Sequence, residues 1–109
     1  MNILVTGGSG QFGGYVLTEL SPHYVVTNFD LTQSAQTSRN IEGDVLDLDA
    51  LTVAFENQDA VIHLAGIDAA INAPEKLIFL TNVQGTWNVL HAAEKLGIRK
   101  VILCSSHVH

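Results

Sequence analysis

Cysteine, basic residues and long apolar runs are all scarce in this 109-residue chain. Its single cysteine, Cys104, excludes an internal disulfide and favours a reducing compartment such as the cytoplasm. The net charge of −6 argues against nucleic acid or an anionic membrane as a partner. No apolar run approaches the roughly 20 residues that a membrane-spanning helix needs. A signal peptide is not expected either, because the first residues lack a basic leader.

Apolar residues nevertheless make up 47% of the chain, which is enough for the core of one compact domain. Short apolar runs alternate with segments of helical periodicity, a pattern typical of βαβ units around a parallel sheet. We predict strands at Asn2–Thr6, 24–29, Asn40–Glu42, 60–64 and 100–105. We predict helices at Gln11–Leu20, after an N-cap at Asp47, and at about 75–96. Right-handed crossovers then give a doubly wound Rossmann-type α/β fold with strand order 3-2-1-4-5.

The long third helix has recognisable ends and two stripes of side chains. Pro74 is expected at its first position and Gly97 just after its last. The stripe expected to face the sheet contains Val83, Thr86, Leu90 and Ala93. The stripe on another face contains Leu80, Gln84, Trp87 and His91. An apolar side chain as large as Trp87 is usually covered, so we expect either an overlying loop or a subunit contact there.

A glycine pattern, Gly7-x-x-Gly10-x-x-Gly13, lies directly between the first strand and the first helix. The first glycine permits a tight turn, the second a close approach to a pyrophosphate, and the third close packing of helix on strand. The helix N-terminus adds unpaired N–H groups and a partial positive charge. The pattern therefore predicts a dinucleotide site. The residues of the turn that we assign to it are Gly7, Ser9, Gly10, Gln11, Phe12 and Gly13.

Asp30 ends the second predicted strand, about 20 positions beyond the glycine turn, where dinucleotide-binding domains place an acidic residue. A carboxylate there can accept both hydroxyls of an adenosine ribose and would repel a 2′-phosphate. No basic residue stands between Asp30 and Arg39 to attract such a phosphate. We therefore predict NAD rather than NADP, with Asp30 and Leu31 in the site. The alternative is that Asp30 is an ordinary turn residue.

Together with further motifs, these features resemble the extended short-chain dehydrogenase/reductase family of NAD-dependent epimerases, dehydratases and dehydrogenases. The glycine turn is similar to the family's TGxxGxxG element. Gly43-Asp44-Val45 is similar to the segment that meets the adenine, and His63-Leu64-Ala65-Gly66 to the element beside the ribose and nicotinamide. Asn82-Val83-x-Gly85-Thr86 resembles a helix motif whose asparagine supports the site. The cofactor residues that the resemblance adds are Asp44, Val45, Leu64, Ala65, Gly66 and Asn82.

Two of these residues also have purely structural interpretations. Asp44 could cap a turn, and His63, on an apolar strand, is more often a hydrogen-bonded core residue than a base or a ligand. Cys104 is interpreted as a core residue, and no metal site is predicted.

The resemblance also bears on catalysis. Cys104-Ser105-Ser106 is similar to the end of the family's fifth strand, which implies that Ser105 is the catalytic Ser/Thr, with Ser106 as the fallback. The family's Tyr-x-x-x-Lys pair is missing, because neither Tyr15 nor Tyr24 has a lysine four residues later. We therefore expect residues 1–109 to form the N-terminal NAD-binding domain of a longer enzyme. This chain would end after the fifth strand, without the catalytic helix and substrate lobe, and would be inactive alone.

The family's chemistry implies hydride transfer at a sugar carbon, in a sugar or nucleotide-sugar epimerase, dehydratase or dehydrogenase. A uronate-type dehydrogenase is a narrower alternative, and a non-catalytic NAD-binding module is another. A sugar substrate is expected only for a full-length form. We also expect a homo-oligomer, because the edge of the fifth strand and the Trp87 face would otherwise be exposed.

Overall fold

A computed structural model of the chain describes residues 1–64 and 74–104. Within these ranges the elements are β1 (Asn2–Thr6), α1 (Gln11–Leu20), β2 (Val25–Asp30), β3 (Asn40–Glu42), α2 (Leu48–Ala54), β4 (Ala60–His63), α3 (Glu75–Lys95) and β5 (Lys100–Leu103). The strands pair in parallel in the order β3-β2-β1-β4-β5. The predicted Rossmann-type fold and strand order are therefore confirmed. The predicted elements are all present, with small shifts at their ends.

Each face of the sheet carries its own core. The core that α2 and α3 cover is built around Leu4, Phe29, Leu51, Phe55, Val61 and Val89. The core that α1 covers contains Ile3, Val5, Leu17, Val26 and Ala60. Because helices cover both faces, the middle of β1, residues 3–5, is continuously apolar rather than alternating.

The helix ends follow the residues that the sequence provides. α1 ends at its C-cap Ser21, directly before a proline that could not continue the helix. Asp47 caps α2, because its carboxylate accepts a hydrogen bond from Ala50 N at 3.1 Å. Gly97 follows α3 with a φ of 73°, a left-handed conformation that suits glycine after a helix. Pro74 is the N-cap of α3, one position before the predicted site.

The predicted buried face of α3 is correct at Ala93 and at the half-buried Thr86, whose hydroxyl lies 3.4 Å from His63 of β4, but wrong at Val83 and Leu90. Val83 is 55% exposed and Leu90 is 45% exposed, although both were expected to face the sheet. The buried residues of α3 are Gly85, Asn88, Val89, Ala92 and Ala93. Small residues dominate this face because the helix lies close to its neighbours: a Cβ on Gly85 would come within 2.9 Å of Val45 Cγ2.

Among the described residues, no loop covers the stripe around Trp87, so the subunit contact expected there stays a prediction. Trp87 is 53% exposed, and its ring stacks on that of His91 with centroids 4.7 Å apart and planes 9° apart. In the described part of the chain, none of the helices is long and apolar enough to cross a membrane.

Candidate functional site

A groove of about 870 Å³ opens at the carboxyl ends of β1 and β2. β1 is the strand at which the chain changes direction across the sheet, since β2 and β3 lie on one side of it and β4 and β5 on the other. Open α/β sheets bind ligands at this kind of switch point. The predicted site residues that line the groove are Gly7, Ser9, Gly10, Gln11, Phe12, Gly13, Asp30, Leu31, Asp44, Val45 and Leu64.

The glycine turn is tight and packs closely on the helix that follows it. Gly7 has a φ of 79°, which a residue with a side chain rarely adopts. A Cβ on Gly13 would lie 2.5 Å from Gly8 Cα, so the helix can approach the turn this closely only with glycine there. The space beside Gly10 is more open, with only Gly7 O at 3.6 Å from an added Cβ. The turn therefore has the shape expected of a dinucleotide site, while ligand contact at these residues stays a prediction.

The N-terminus of α1 lies at the groove. Its N-cap is Gly10, with an extended backbone, and no side chain of the described residues caps the helix. The first amides of a helix have no acceptor within the helix, and the terminus carries a partial positive charge. An anionic group can therefore be held here by the backbone, although the chain as a whole has a net charge of −6.

Asp30 holds the end of β2 to the glycine turn. Its Oδ2 accepts a hydrogen bond from Ser9 N at 3.0 Å, and its Oδ1 accepts one from Leu31 N at 2.7 Å. A carboxylate has about four acceptor positions, so these two bonds leave capacity for further donors. The half-buried Asp30 therefore joins β2 to the glycine turn and lines the groove, while its contact with a ribose stays a prediction.

Asn28, a fully buried side chain of β2, was missed by the sequence analysis. Its Oδ1 accepts a hydrogen bond from Gly8 N at 2.9 Å. Its Nδ2 donates to Ser9 Oγ at 3.0 Å and to Asn40 Oδ1 at 2.9 Å. The available signal was an amide in a strand whose neighbours are mostly apolar, because a buried amide needs partners.

The segment after β3 forms the next part of the groove. Asp44 Oδ1 accepts a hydrogen bond from Leu46 N at 3.0 Å, so the turn-capping interpretation of Asp44 is confirmed, and its exposed carboxylate also lines the groove. The carbonyl of Val45 accepts a hydrogen bond at 2.9 Å from Nδ2 of Asn88, a buried residue of α3. Asn88 therefore ties the long helix to the wall of the groove.

His63 is a buried residue with hydrogen bonds on both ring nitrogens. Nδ1 lies 2.6 Å from the hydroxyl of Thr6, and Nε2 lies 3.4 Å from the hydroxyl of Thr86. Since Thr86 donates its only hydroxyl proton to the Asn82 carbonyl, at 2.6 Å, we assign the proton on the ring to Nε2. Burial lowers the pKa of His63 from 6.5 to about 4, so the ring is neutral at pH 7. The interpretation of His63 as a hydrogen-bonded core residue is confirmed.

Some predicted residues lie elsewhere. Cys104 is exposed and lines the groove, so the prediction of a core cysteine is wrong. The reason is that it follows β5, which is the outer strand of the described sheet. Asn82 is exposed on α3, which contributes Leu77 and Thr81 to the described lining instead. The predicted residues that fall outside the described ranges are Ala65, Gly66, Ser105 and Ser106.

Other lining residues had not been assigned to the cofactor site. They are Tyr15, Phe29, Thr32, Gly43, Leu46, Leu77, Thr81 and Cys104. Close packing explains why a glycine occupies position 43. A Cβ there would come within 2.5 Å of the Phe29 ring, so the segment after β3 passes directly over that ring.

The sequence matches the NAD dependent epimerase/dehydratase family over residues 3–108. It is 37% identical to N-acetyl-alpha-D-glucosaminyl-diphospho-ditrans,octacis-undecaprenol 4-epimerase of Escherichia coli O157:H7, over 96% of this chain and 32% of that protein. It is 34% identical to UDP-glucose 4-epimerase of Bacillus subtilis (strain 168), over 97% of this chain and 37% of that protein. The chain thus spans about a third of the length of these relatives.

Solved structures show the same similarity. Uronate dehydrogenase from Agrobacterium tumefaciens, in a complex with NAD, superposes with a TM-score of 0.84 at 27% identity, over 96% of this chain and 40% of that one. UDP-glucose 4-epimerase from Bifidobacterium longum, in complex with NAD+ and UDP, gives a TM-score of 0.83 at 27% identity, over 97% of this chain and 37% of that one. The glycine turn, the strand order and the match over nearly its whole length make this chain a member of the NAD-dependent epimerase/dehydratase family.

Proposed function

We propose that this chain binds NAD in the groove and corresponds to the cofactor-binding third of an NAD-dependent sugar epimerase, dehydratase or dehydrogenase. The observation that carries the proposal is that one groove joins the uncapped N-terminus of α1 to the carboxylate of Asp30. The helix terminus suits a pyrophosphate and the carboxylate suits an adenosine ribose. The NAD-bound structures of similar proteins support the same assignment.

In this proposal each part of NAD has its own residues. The pyrophosphate lies over Gly10 and the first amides of α1, and the adenosine ribose meets Asp30. The adenine lies toward Leu31 and the segment at Asp44 and Val45. The nicotinamide half is directed toward the lining residues Leu64, Leu77, Thr81 and Cys104. When bound, NAD supplies a hydride acceptor for a sugar carbon, while the groove fixes the orientation of the cofactor.

Calorimetric titration of the folded chain with NAD and NADP tests the cofactor assignment. We expect saturable binding of NAD. We expect NADP to bind at least about tenfold more weakly, because its 2′-phosphate meets the carboxylate of Asp30. A folded chain that binds neither dinucleotide would contradict the proposal.

The reaction itself belongs to the full-length form. Two of the sequence relatives are 4-epimerases, which supports hydride transfer at a sugar carbon, with Ser105 or Ser106 proposed for the Ser/Thr role. A uronate-type dehydrogenase is the narrower alternative, since the chain superposes on uronate dehydrogenase with a TM-score of 0.84, about as well as on the epimerase at 0.83. Assays of the full-length gene product with NAD separate the two, because an epimerase interconverts two nucleotide sugars without net NADH, whereas a uronate dehydrogenase forms NADH from a uronic acid.

The second candidate function is a non-catalytic NAD-binding module. The module predicts NAD binding at micromolar concentration without turnover. A full-length product that contains a Tyr-x-x-x-Lys pair and turns over a sugar would contradict it.

The proposal also includes self-association in a cytoplasmic setting. The exposed thiol of Cys104 supports a reducing compartment. Ile102 on β5 is 57% exposed, and the Trp87 stripe of α3 offers a second apolar surface. Light scattering of the chain and of the Ile102→Lys and Trp87→Glu variants tests which surface is used. A wild-type chain that stays monomeric at high concentration would exclude both.

A further inference from the structure

We propose that Asn28 is a positioning residue of the nucleotide site, which holds the glycine turn so that Asp30 faces the ribose of the cofactor. This inference rests on the proposed binding of NAD. Asn28 does not line the groove, and it is not one of the site residues predicted from the sequence.

Asn28 uses its full donor capacity inside the protein. The side chain is 0% exposed, and burying an amide is unfavourable unless its polar atoms are paired. Its carbonyl oxygen accepts from Gly8 N at 2.9 Å. Both amide protons are donated, one to Ser9 Oγ at 3.0 Å and one to Asn40 Oδ1 at 2.9 Å. A single side chain therefore joins β2 to two consecutive residues of the glycine turn and to β3.

These contacts reach Asp30 through Ser9. The amide of Ser9 donates to Asp30 Oδ2 at 3.0 Å, and its hydroxyl, which accepts from Asn28, donates to Thr32 O at 2.6 Å. The hydroxyl proton of Ser9 is thus used within the protein. Asn28 holds Ser9 through the Ser9 hydroxyl, and in this orientation the backbone N–H of Ser9 points at Asp30. Loss of Asn28 would free this peptide to rotate and would release the carboxylate.

The turn is also seated directly on the Asn28 amide. A Cβ added to Gly8 would collide with Asn28 Oδ1 and would come within 2.8 Å of Leu17 Cδ1. The turn therefore cannot move closer to the sheet, because the Asn28 and Leu17 side chains both lie against Gly8.

Asn40 provides a matched comparison. Its Oδ1 accepts from Asn28 Nδ2 and from Ser34 N, at 2.9 Å in each case. Its Nδ2 donates to Ser34 O at 3.1 Å and to Thr37 O at 3.0 Å. Asn40 therefore organises the loop between β2 and β3 without touching the glycine turn. A variant of Asn40 disturbs the same network but leaves the bond between Asn28 and Gly8 in place.

The ratio of NAD affinity to NADP affinity separates positioning from general stability. A smaller folded fraction lowers the apparent affinity for both ligands by the same factor, so the ratio of the two affinities does not change. If the carboxylate no longer faces the ribose, NAD binding weakens more than NADP binding. The ribose hydroxyls of NAD lose a hydrogen-bond acceptor, whereas the 2′-phosphate of NADP is no longer repelled. The ratio therefore responds to the orientation of Asp30.

Titrations of the wild-type, Asn28→Leu and Asn40→Ala chains with NAD and NADP test the inference, together with thermal unfolding of each. For Asn28→Leu we expect the Kd for NAD to rise about tenfold and the NAD/NADP affinity ratio to fall at least about threefold. For Asn40→Ala we expect a lower Tm and a ratio within about twofold of wild type. A folded Asn28→Leu chain with the wild-type ratio would overturn the inference.

A second variant covers the case in which Asn28→Leu does not fold. Ser9→Ala removes the hydroxyl that receives the Asn28 bond and leaves the core intact. The NAD/NADP affinity ratio of this variant should fall by at least about twofold, as in Asn28→Leu. An unchanged ratio would overturn the inference. A wild-type chain that folds but does not bind NAD would instead refute the proposed function, so the two failures are distinguishable.

Discussion

Thr6 and His63 end neighbouring strands and share a hydrogen bond of 2.6 Å between the Thr6 hydroxyl and His63 Nδ1. They are also partners in the register of β1 and β4. Thr6 directly precedes the glycine turn and His63 directly precedes Leu64, so the bond joins two strand ends that border the groove. Nδ1 accepts this bond only while it carries no proton.

The stability of the chain should therefore fall in mild acid. The pKa of His63 is lowered by burial to about 4, against 6.5 for an ordinary histidine. Between these values the unfolded chain binds a proton at this ring and the folded chain does not, so the free energy of unfolding falls as the pH decreases. The loss contributed by His63 between pH 6.5 and pH 4 is about 3 kcal/mol. Urea unfolding across this range measures it.

His63→Gln is the control for this prediction. A glutamine amide can accept from Thr6 and donate to Thr86, but it does not titrate. We expect wild type to be the more stable at pH 7 and the difference to shrink as the pH approaches 4.5. A difference that stays constant with pH would show that His63 does not cause the acid sensitivity.

Gly13 and Gly14 are adjacent in α1 but should respond oppositely to alanine. A Cβ at Gly13 meets the backbone of Gly8 within 2.5 Å, whereas nothing lies within 4 Å of a Cβ at Gly14. Gly13→Ala should lower stability by about 1–3 kcal/mol and weaken NAD binding, since the turn must move. Gly14→Ala should raise stability by about 0.5–1 kcal/mol with unchanged affinity. Equal effects in unfolding and titration experiments would contradict the close packing at Gly13.

Asp30→Asn tests the ribose contact against a charge-matched control. The variant keeps one carbonyl acceptor and loses the charge. We therefore expect NAD to bind about tenfold more weakly and the ratio of NAD affinity to NADP affinity to decrease. Asp59→Asn changes the net charge equally at the amino end of β4, away from the groove, where Asp59 accepts a hydrogen bond from Asn2 N at 2.7 Å. Its affinity for NAD should match wild type. Similar losses in both variants would indicate a general charge effect.

The strand order and the glycine turn were predictable because their signals are local. Buried strands of a parallel sheet are short apolar runs, and the Asp47 cap and Gly97 stop act on the helix beside them. The buried face of α3 was not predictable in this way. Apolar residues occur on several sides of that helix, and the face that packs is decided by close approach at Gly85 rather than by side-chain size.

The polar network around Asn28 depends on contacts between distant residues. Its partners Gly8 and Asn40 lie 20 positions before it and 12 positions after it. Periodicity indicates that a strand position is buried, but it does not indicate which donors the fold will bring there. The prediction that Cys104 is a core residue was wrong for a related reason. Its exposure depends on the position of β5 as the outer strand of the described sheet.

Asn88 should be the asparagine of α3 on which folding depends. It is 2% exposed, its Nδ2 donates to Val45 O at 2.9 Å, and its Oδ1 accepts from Gln84 Nε2 at 2.9 Å. Asn88→Ala leaves the Val45 carbonyl without this donor, so we expect a loss of about 2 kcal/mol in urea unfolding. Asn82→Ala, at an exposed position of the same helix, should stay within about 0.5 kcal/mol of wild type. If the two variants lost equal stability, the bond to Val45 would not be what anchors α3 to the groove.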